Sequence, residues 1–271
     1  MKLPIYQIDA FTDQVFKGNY AAVVPLDNWL PDSVMQSIAT ENNLSETAFF
    51  VRDPDGAYQI RWFSPLKEID FCGHATLASA FVIFKNNKNL TAIRFSAKAV
   101  GSLAVILLQD GSIEMSFPQR LPEPVEAIPA CLLEGLSIRP KEVLKNQQAY
   151  FAVYESEQEV RSVVPQLQQL IQLGPLDVVV TAPGERHDFV SRYFWPANGG
   201  EEDPVTGSIH AGLAPFWAHK LKKSSLVALQ ASQRSGLLHC RVENDRVYIS
   251  GSAVQYMEGT LDIPAASQPE P

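Results

Sequence analysis

The sequence lacks the features that mark several large classes of protein. Its 271 residues contain no apolar run near the ~20 residues that a membrane-spanning helix needs. The first residues, MKLPIYQIDAF, lack the apolar core of a signal peptide. There are only three cysteines, Cys72, Cys131 and Cys240, an odd and sparse set that favours reduced thiols. These absences predict a soluble, cytoplasmic protein with no membrane partner.

Positive charge is also in short supply. The chain has 22 Lys and Arg against 30 Asp and Glu residues, a formal net charge of -8. This excess of negative charge gives no electrostatic attraction to nucleic acid, and no nucleic-acid partner is expected. The sequence also lacks a phosphate loop, a dinucleotide-binding glycine motif and histidines at metal-ligand spacing. No cofactor and no metal are therefore predicted.

The most informative feature that is present is an internal repeat. Residues 61–65, RWFSP, recur as RYFWP at 192–196, a displacement of 131 residues. Each copy leads to a glycine and a small, apolar segment, at Gly73 and at Gly207, which are 134 residues apart. Because the matches keep their order, a duplication with small insertions explains them more simply than two unrelated strand–turn–helix segments, which remain the alternative.

A duplication predicts two similar α+β lobes. Prolines cluster at 116–129, where no periodic pattern survives, and this places the boundary between the lobes. The N-terminal lobe is then 1–117 and the C-terminal lobe 118–271, with the last strand able to return to the first lobe. A small-molecule site is expected in the cleft between them. Residues 265–271 are predicted to be a frayed tail.

Hydrophobic periodicity predicts the elements that carry the repeat. The segment 74–84 is apolar on nearly every face, which indicates a buried helix. Its counterpart at 208–220 is equally apolar, although Pro215 predicts a kink or an early end. The other predicted elements are a helix at 31–42, strands at 5–10, 21–24, 47–51 and 58–63, and hairpins joining 104–108 to 112–117 and 238–242 to 247–250.

The starts of the two buried helices are candidate binding positions. The first N–H groups of a helix have no partner within the helix, and with the helix dipole they attract an anion. In an acidic protein this is a direct way to hold a carboxylate. The residues close to the two starts that could take part in chemistry are Glu46, Gly73, His74, Asp203, Thr206, Gly207 and Ser208.

Each polar candidate also has a structural interpretation. Glu46 opens an apolar strand, where burial would help it hold a proton near neutral pH, or it is an exposed strand-end residue. Asp203 either caps the following turn or stays ionised beside the helix start. Two carboxylates in different environments suit an acid and a base. His74 can be a structural residue, and Thr206 and Ser208 can cap the helix.

Four short strings together resemble a known family. They are DAFT at 9–12, LSETAF at 44–49, DFCGHAT at 70–76 and EDPVTGS at 202–208. In order and spacing they are similar to the signature segments of the PhzF-like phenazine biosynthesis isomerases, and as a set they are highly specific. QASQRSG at 230–236 resembles a further segment, in which the residue at Ser235 is often Gly. The likeness covers nearly the whole chain, from Tyr6 to about Gly251.

The resemblance implies a diaminopimelate epimerase-like fold, with two pseudo-symmetric lobes that each wrap a mixed or antiparallel sheet around a central buried helix. It implies a homodimer and a cofactor-independent isomerase. That enzyme would move a proton on a small cyclic carboxylic acid similar to 2,3-dihydro-3-hydroxyanthranilate. The residues implied as catalytic are Glu46, the main acid/base, with His74 and Asp203; those implied in substrate binding are Gly73, Thr206, Gly207 and Ser208.

Three other functions remain open. Epimerases and racemases of this fold use one cysteine from each lobe; Cys72 lies at the first such position, but 203–206 contains no thiol, which favours a packing role for Cys72. The fold could also serve a non-catalytic small-molecule-binding or interaction protein. A hydrolase built from Ser208, His74 and Asp203 lacks the Gly-x-Ser-x-Gly turn. The sequence does not identify the substrate.

Overall fold

The structure, a computed structural model, describes residues 1–263. Residues 264–271, and with them the frayed tail predicted at 265–271, lie outside the described residues. The chain forms two compact units. Among the described residues, the first unit contains Met1–Phe16, Tyr20–Ile113 and 252–263, and the second contains Lys17–Asn19 and Glu114–Gly251.

Strands and short helices alternate along the chain. Up to residue 113 the elements are β1 (Lys2–Ala10), β2 (Asn19–Leu26), α1 (Asp32–Asn42), β3 (Glu46–Arg52), β4 (Tyr58–Phe63), β5 (Glu68–Ile69), α2 (Gly73–Asn86), β6 (Ala92–Ala97) and β7 (Gly101–Leu107). After it come β8 (Ile113–Pro118), β9 (Glu123–Pro124), α3 (Ala130–Glu134), β10 (Glu142–Lys145), β11 (Ala149–Val153), α4 (Glu157–Ser162), α5 (Leu167–Leu170), β12 (Asp177–Pro183), β13 (Phe189–Phe194), β14 (Glu202–Asp203), α6 (His210–Leu221), β15 (Ser225–Gln230), β16 (Gly236–Glu243), β17 (Arg246–Gly251) and β18 (Ala253–Asp262).

In the first unit, helix α2 connects β5 and β6, two strands that both pair with β4. Strand β2 pairs parallel with β3, and β3 pairs antiparallel with β4. Strand β4 then pairs antiparallel with β5 and parallel with β6, and β6 pairs antiparallel with β7. Because β5 and β6 both lie beside β4, the chain must cross over through α2 to join them. Strand β1 pairs antiparallel with β18.

The second unit repeats this pattern strand for strand. Strand β11 pairs parallel with β12, and β12 pairs antiparallel with β13. Strand β13 pairs with β14 and β15 as β4 does with β5 and β6, and α6 is the crossover. The motifs at 61–65 and 192–196 begin in the equivalent strands β4 and β13. The repeat read from the sequence is therefore a structural repeat, and the predicted α+β fold of two pseudo-symmetric lobes is confirmed.

An arginine–glutamate pair marks the same place in both units. Arg61 donates from Nε and Nη2 to Glu68 at 2.7 and 2.6 Å. Arg192 donates from the same two atoms to Glu202 at 2.8 and 2.9 Å. Each guanidinium also lies 5.0–5.2 Å from the ring centre of the phenylalanine two residues later. This bidentate geometry ties the short strands β5 and β14 to their neighbours β4 and β13.

Helix α2 is buried along almost its whole length, as its apolar sequence predicts. Its few hydroxyl groups are satisfied within the helix: Thr76 donates to the Cys72 carbonyl at 2.6 Å, and Ser79 to that of Ala75 at 2.8 Å. A helix with no polar face needs protein on every side. Among the described residues, no helix is long and apolar enough to cross a membrane.

Helix α6 begins two residues later than its predicted segment, and it continues past Pro215. A tight turn precedes it, in which His210 and Ala211 donate backbone hydrogen bonds to Gly207 and Ser208, each at 3.1 Å. The early end predicted at Pro215 is wrong, because α6 continues to Leu221. Proline cannot donate to the carbonyl four residues earlier. That carbonyl, of Ala211, instead accepts from the Arg120 N–H at 2.9 Å, so the helix tolerates the proline.

Candidate functional site

Glu46 is the first residue of β3, where it pairs with Ala21 of the parallel neighbour β2. Its side chain faces inward, and the residue is only 6% exposed. The alternative of an exposed strand-end glutamate is therefore wrong. A carboxylate that is removed from water needs either a partner or a function.

His74, the second residue of α2, provides the partner. Its Nε2 lies 3.0 Å from Oε2 of Glu46, and its Nδ1 lies 3.4 Å from the Sγ of Cys72. All three side chains are buried. Although the distance suits an ion pair, Oε2 of Glu46 makes no hydrogen bond of good geometry within the described chain. Gly73, between Cys72 and His74, is the buried first residue of α2.

The three groups change one another's protonation. Burial alone lowers the pKa of His74, but the neighbouring Cys72 sulfur and the Glu46 carboxylate outweigh it and raise that pKa well above its usual value. Burial, assisted by the negative charge of Glu46, raises the pKa of the Cys72 thiol to about 11. Within this cluster His74 therefore keeps its proton beyond its usual pH range, and so does the Cys72 thiol.

The same cluster has the donor set of a metal site. One ligand atom each from Glu46, Cys72 and His74 lie within 4.8 Å of one another. Carboxylate, thiolate and imidazole are the ligands that Zn²⁺ accepts in proteins. The absence of a metal, predicted from the sequence, thus remains a prediction.

Asp203 lies in β14 of the second unit, at the start of a turn that side chains hold in place. Its Oδ1 accepts from Asn19 Nδ2 at 2.7 Å, and its Oδ2 accepts from the Thr206 hydroxyl at 2.5 Å. Gln230 fixes the same turn, because its Oε1 accepts from the Thr206 N–H at 2.8 Å and its Nε2 donates to the Asp203 carbonyl at 2.9 Å. The turn 203–206 is therefore held by hydrogen bonds on both sides.

Gly207 and Ser208 follow in the turn that precedes α6. Within the described residues, the N–H groups of Gly207, Ser208 and Ile209 donate no hydrogen bond. Donors in this position at the start of a helix form an anion-binding site. Ser208 is half-buried, and its Oγ accepts from Gln148 Nε2 at 2.9 Å. Thr206, whose side chain is engaged by Asp203, contributes to the shape of the turn.

The structure groups the predicted residues into two sets, one per unit. Within the first unit Glu46 and His74 are in contact beside Gly73, and within the second Asp203, Thr206, Gly207 and Ser208 form one turn.

Sequence reasoning missed the contact between Cys72 and His74. It also missed four supporting residues: Asn19, Gln148, Asp177 and Tyr193. Only Asp177 and Tyr193 carried a signal, since they lie 131 residues after Glu46 and Trp62, the displacement of the repeated motif.

Comparison with known proteins gives a consistent result. The family model of phenazine biosynthesis-like proteins, PhzC-PhzF, matches residues 8–259. An uncharacterized isomerase of Pseudomonas aeruginosa is 49% identical over 264 residues, covering 97% of this chain and 100% of that protein.

Solved structures agree at the level of the fold. The crystal structure of a PhzF family phenazine biosynthesis protein from Enterococcus faecalis has a TM-score of 0.91 and 42% identity, covering 97% of this chain and 100% of its own. A hydroxyproline epimerase from Agrobacterium vitis, at 10% identity and a TM-score of 0.63 over 96% of this chain and 91% of its own, shows the shared fold alone. Since one family model spans nearly all of the described residues, the chain belongs to the PhzF-like, phenazine biosynthesis-like family.

Proposed function

We propose that this protein is a cofactor-independent isomerase that moves a proton between carbons of a small cyclic carboxylic acid, of the 2,3-dihydro-3-hydroxyanthranilate type. The observation that carries the proposal is the buried Glu46 carboxylate 3.0 Å from His74. Membership of the family, in which close relatives are named isomerases, supports it. Burial of a paired acid without an evident packing role is typical of catalytic sites.

Glu46 is the proposed acid and base. Its carboxylate takes a proton from a substrate carbon, and the electron pair of that C–H bond moves into the conjugated system of the substrate. The protonated Glu46 then returns the proton to a different carbon, so nothing is gained or lost overall. His74, which carries a positive charge, orients the carboxylate and stabilises its ionised form. A well-placed general base typically contributes ~10²–10⁴-fold in rate.

The turn before α6 is the proposed binding site for the carboxylate of the substrate. The N–H groups of Gly207 and Ser208 and the Ser208 hydroxyl supply donors without adding positive side chains. Asp203 and Thr206 orient the turn and the substrate. In this proposal, Glu46 acts on the substrate whose carboxylate the turn binds.

Hydrogen exchange tests the catalytic role. Cyclic amino and hydroxy carboxylic acids are incubated with the protein in deuterated water, and loss of C–H signals is followed by NMR. We expect exchange with the wild type and a rate at least about 100-fold lower with Glu46→Gln, while ligand binding persists. The matched control is Glu41→Gln, which makes the same change at an exposed position of α1.

Other outcomes point to the other functions. Exchange that persists in Glu46→Gln but disappears in Cys72→Ala would assign the chemistry to the thiol, as in a racemase. Binding without exchange over the whole panel would favour a small-molecule-binding protein. Retention of exchange after dialysis against a chelator is expected, because no metal or cofactor takes part in the proposed reaction.

The proposal also includes a homodimer in the cytoplasm. The dimer is implied by the family resemblance, and the cytoplasmic location by the odd and sparse set of cysteines. Analytical ultracentrifugation of the purified protein should give twice the 30.0 kDa mass of the chain. A sedimenting species of the single-chain mass would remove the dimer from the proposal and leave the catalytic assignment in place.

A further inference from the structure

Asp177 is the counterpart of Glu46 in the second unit. Glu46 opens β3 and pairs with Ala21 of the parallel strand β2, and Asp177 opens β12 and pairs with Ala149 of the parallel strand β11. A duplicated acid at one strand position raises the question of what the second copy does. Its surroundings differ from those of Glu46.

Both carboxylate oxygens of Asp177 are occupied by hydrogen bonds. Oδ2 accepts from the Tyr193 hydroxyl at 2.7 Å, and Oδ1 accepts from Asn198 Nδ2 at 2.8 Å. Burial raises the pKa of Asp177, and these two hydrogen bonds offset part of that effect. An acid held in this way is poorly placed to act as a base, but it fixes the direction of the Tyr193 hydroxyl.

That direction determines how Gln148 is oriented. Burial and the charge of Asp177 raise the pKa of Tyr193 well above its usual value, so the phenol keeps its proton. Because this proton is donated to Asp177, the phenol oxygen can only accept from Gln148, whose Nε2 lies 3.1 Å away. The second hydrogen of the same Nε2 is available for Ser208 Oγ, at 2.9 Å.

The chain of hydrogen bonds ends at Ser208. Since the Ser208 oxygen accepts from Gln148, its own proton points away from Gln148 and is available to a ligand. A second observation shows that the cluster is incomplete: Oε1 of Gln148 is buried and has no hydrogen-bond partner among the described residues. Most buried polar atoms in folded proteins have a hydrogen-bond partner, and a bound water or ligand is one way to supply it.

We propose that Asp177, Tyr193 and Gln148 form a positioning relay that aims the Ser208 hydroxyl at the anionic group of a ligand. The inference rests on the proposed function, in which Ser208 binds the carboxylate of the substrate. It assigns to the acid of the second repeat a role different from that of Glu46: Asp177 directs a hydroxyl proton and transfers none.

Binding of a simple anion tests the relay without turnover. Benzoate is titrated into ¹⁵N-labelled full-length protein, and the backbone amides of 207–209 report binding. We expect benzoate to shift these amides in the wild type. Its affinity should fall about tenfold in Ser208→Ala and in Gln148→Met, and about threefold in Tyr193→Phe, as expected for lost hydrogen bonds to a charged group.

Neighbouring residues of the same type supply the controls. Gln147→Met changes an exposed glutamine one residue away. Tyr150→Phe changes a tyrosine of β11 whose hydroxyl makes no hydrogen bond within residues 1–263. Both variants should bind benzoate as the wild type does. The same spectra verify that each variant is folded. If Gln148→Met does not fold, Tyr193→Phe and its control carry the test.

A double variant separates positioning from general structural support. If Gln148 acts through Ser208, Gln148→Met adds little to the loss already caused by Ser208→Ala. The relay is overturned if the two substitutions lower the benzoate affinity independently, so that their fold-losses multiply. It is also overturned if benzoate does not shift the amides of the wild type, or if Gln148→Met binds benzoate as tightly as Gln147→Met. None of these measurements involves Glu46. The binding experiment can therefore fail while the exchange experiment succeeds, and the exchange experiment can fail while the binding experiment succeeds.

Discussion

His74 Nε2 lies 3.0 Å from Glu46 Oε2 in a cluster that water scarcely reaches. The neighbouring sulfur and carboxylate hold the pKa of His74 well above the usual 6.5, against the effect of burial. A histidine whose folded-state pKa is raised contributes stability that is fully present below pH 6.5 and is lost as the pH rises through the folded-state pKa. The pair should therefore weaken on the alkaline side.

The first prediction concerns that pKa. In Glu46→Gln the carboxylate charge is gone while burial and the Cys72 sulfur remain, so the pKa of His74 should fall. An NMR titration of the imidazole measures this directly, with Glu41→Gln as the variant that should leave it unchanged. An unaltered His74 titration in Glu46→Gln would show that the carboxylate does not stabilise the imidazolium.

The second prediction concerns stability in acid. His210 donates from Nδ1 to the Thr206 carbonyl at 2.9 Å, and its Nε2 is buried without a partner in the described chain. Burial lowers the pKa of His210 to about 4, so the folded protein keeps this imidazole neutral. The neutral imidazole is compatible with the folded state above pH 6.5. As the pH falls from 6.5 to about 4, the free energy of unfolding should decrease by roughly 3 kcal/mol.

Urea unfolding at pH 7 and pH 4.5 measures the effect. His210→Asn keeps a donor near the Thr206 carbonyl but does not titrate, so its loss of stability between the two pH values should be smaller than that of the wild type. His239→Asn, at an exposed position of β16, should lose as much as the wild type. Equal losses in all three proteins would contradict the assignment.

The third prediction concerns close packing beside α6. A Cβ added to Gly212 would lie 2.8 Å from both the Arg120 carbonyl oxygen and the Phe151 ring, closer than real contacts allow. Gly212→Ala should therefore destabilise the protein by about 1–3 kcal/mol, despite the better helix propensity of alanine. Gly259→Ala is the control, since its nearest neighbour, Ile5, would lie 3.7 Å away. A Gly212→Ala protein at least as stable as the wild type in urea would disprove the packing argument.

The fourth prediction compares the two arginines of the repeat. The Arg192 side chain is 13% exposed, pairs with Glu202 and also donates to the Val163 carbonyl at 2.7 Å. Arg192→Met leaves that half-buried carboxylate unpaired and should cost about 2–4 kcal/mol in urea unfolding. Arg61→Met should cost clearly less, because its partner Glu68 is 43% exposed and regains water. Equal losses would show that burial does not set the strength of these pairs.

Much of the fold could be predicted from the sequence, because the features that indicate it are short patterns along the chain. The displacement of 131 residues between the motifs at 61–65 and 192–196 indicated a duplication, and equivalent strands β4 and β13 carry it. The apolar run at 74–84 required burial and became α2. The alternative of an early end at Pro215 was wrong, because the local pattern does not show that the Ala211 carbonyl, which Pro215 leaves without its helical donor, accepts from Arg120.

The candidate site divides in the same way. Residue types and spacing were enough to single out Glu46, His74, Asp203 and Ser208, since helix starts and short signature strings are properties of the sequence itself. Folding alone decided that His74 lies against Glu46 and that Gln148, 60 residues before Ser208, holds the oxygen of that hydroxyl. Strand pairing brings together residues far apart in the chain, and a hydrogen bond forms only within about 3 Å, a distance that no spacing along the sequence encodes.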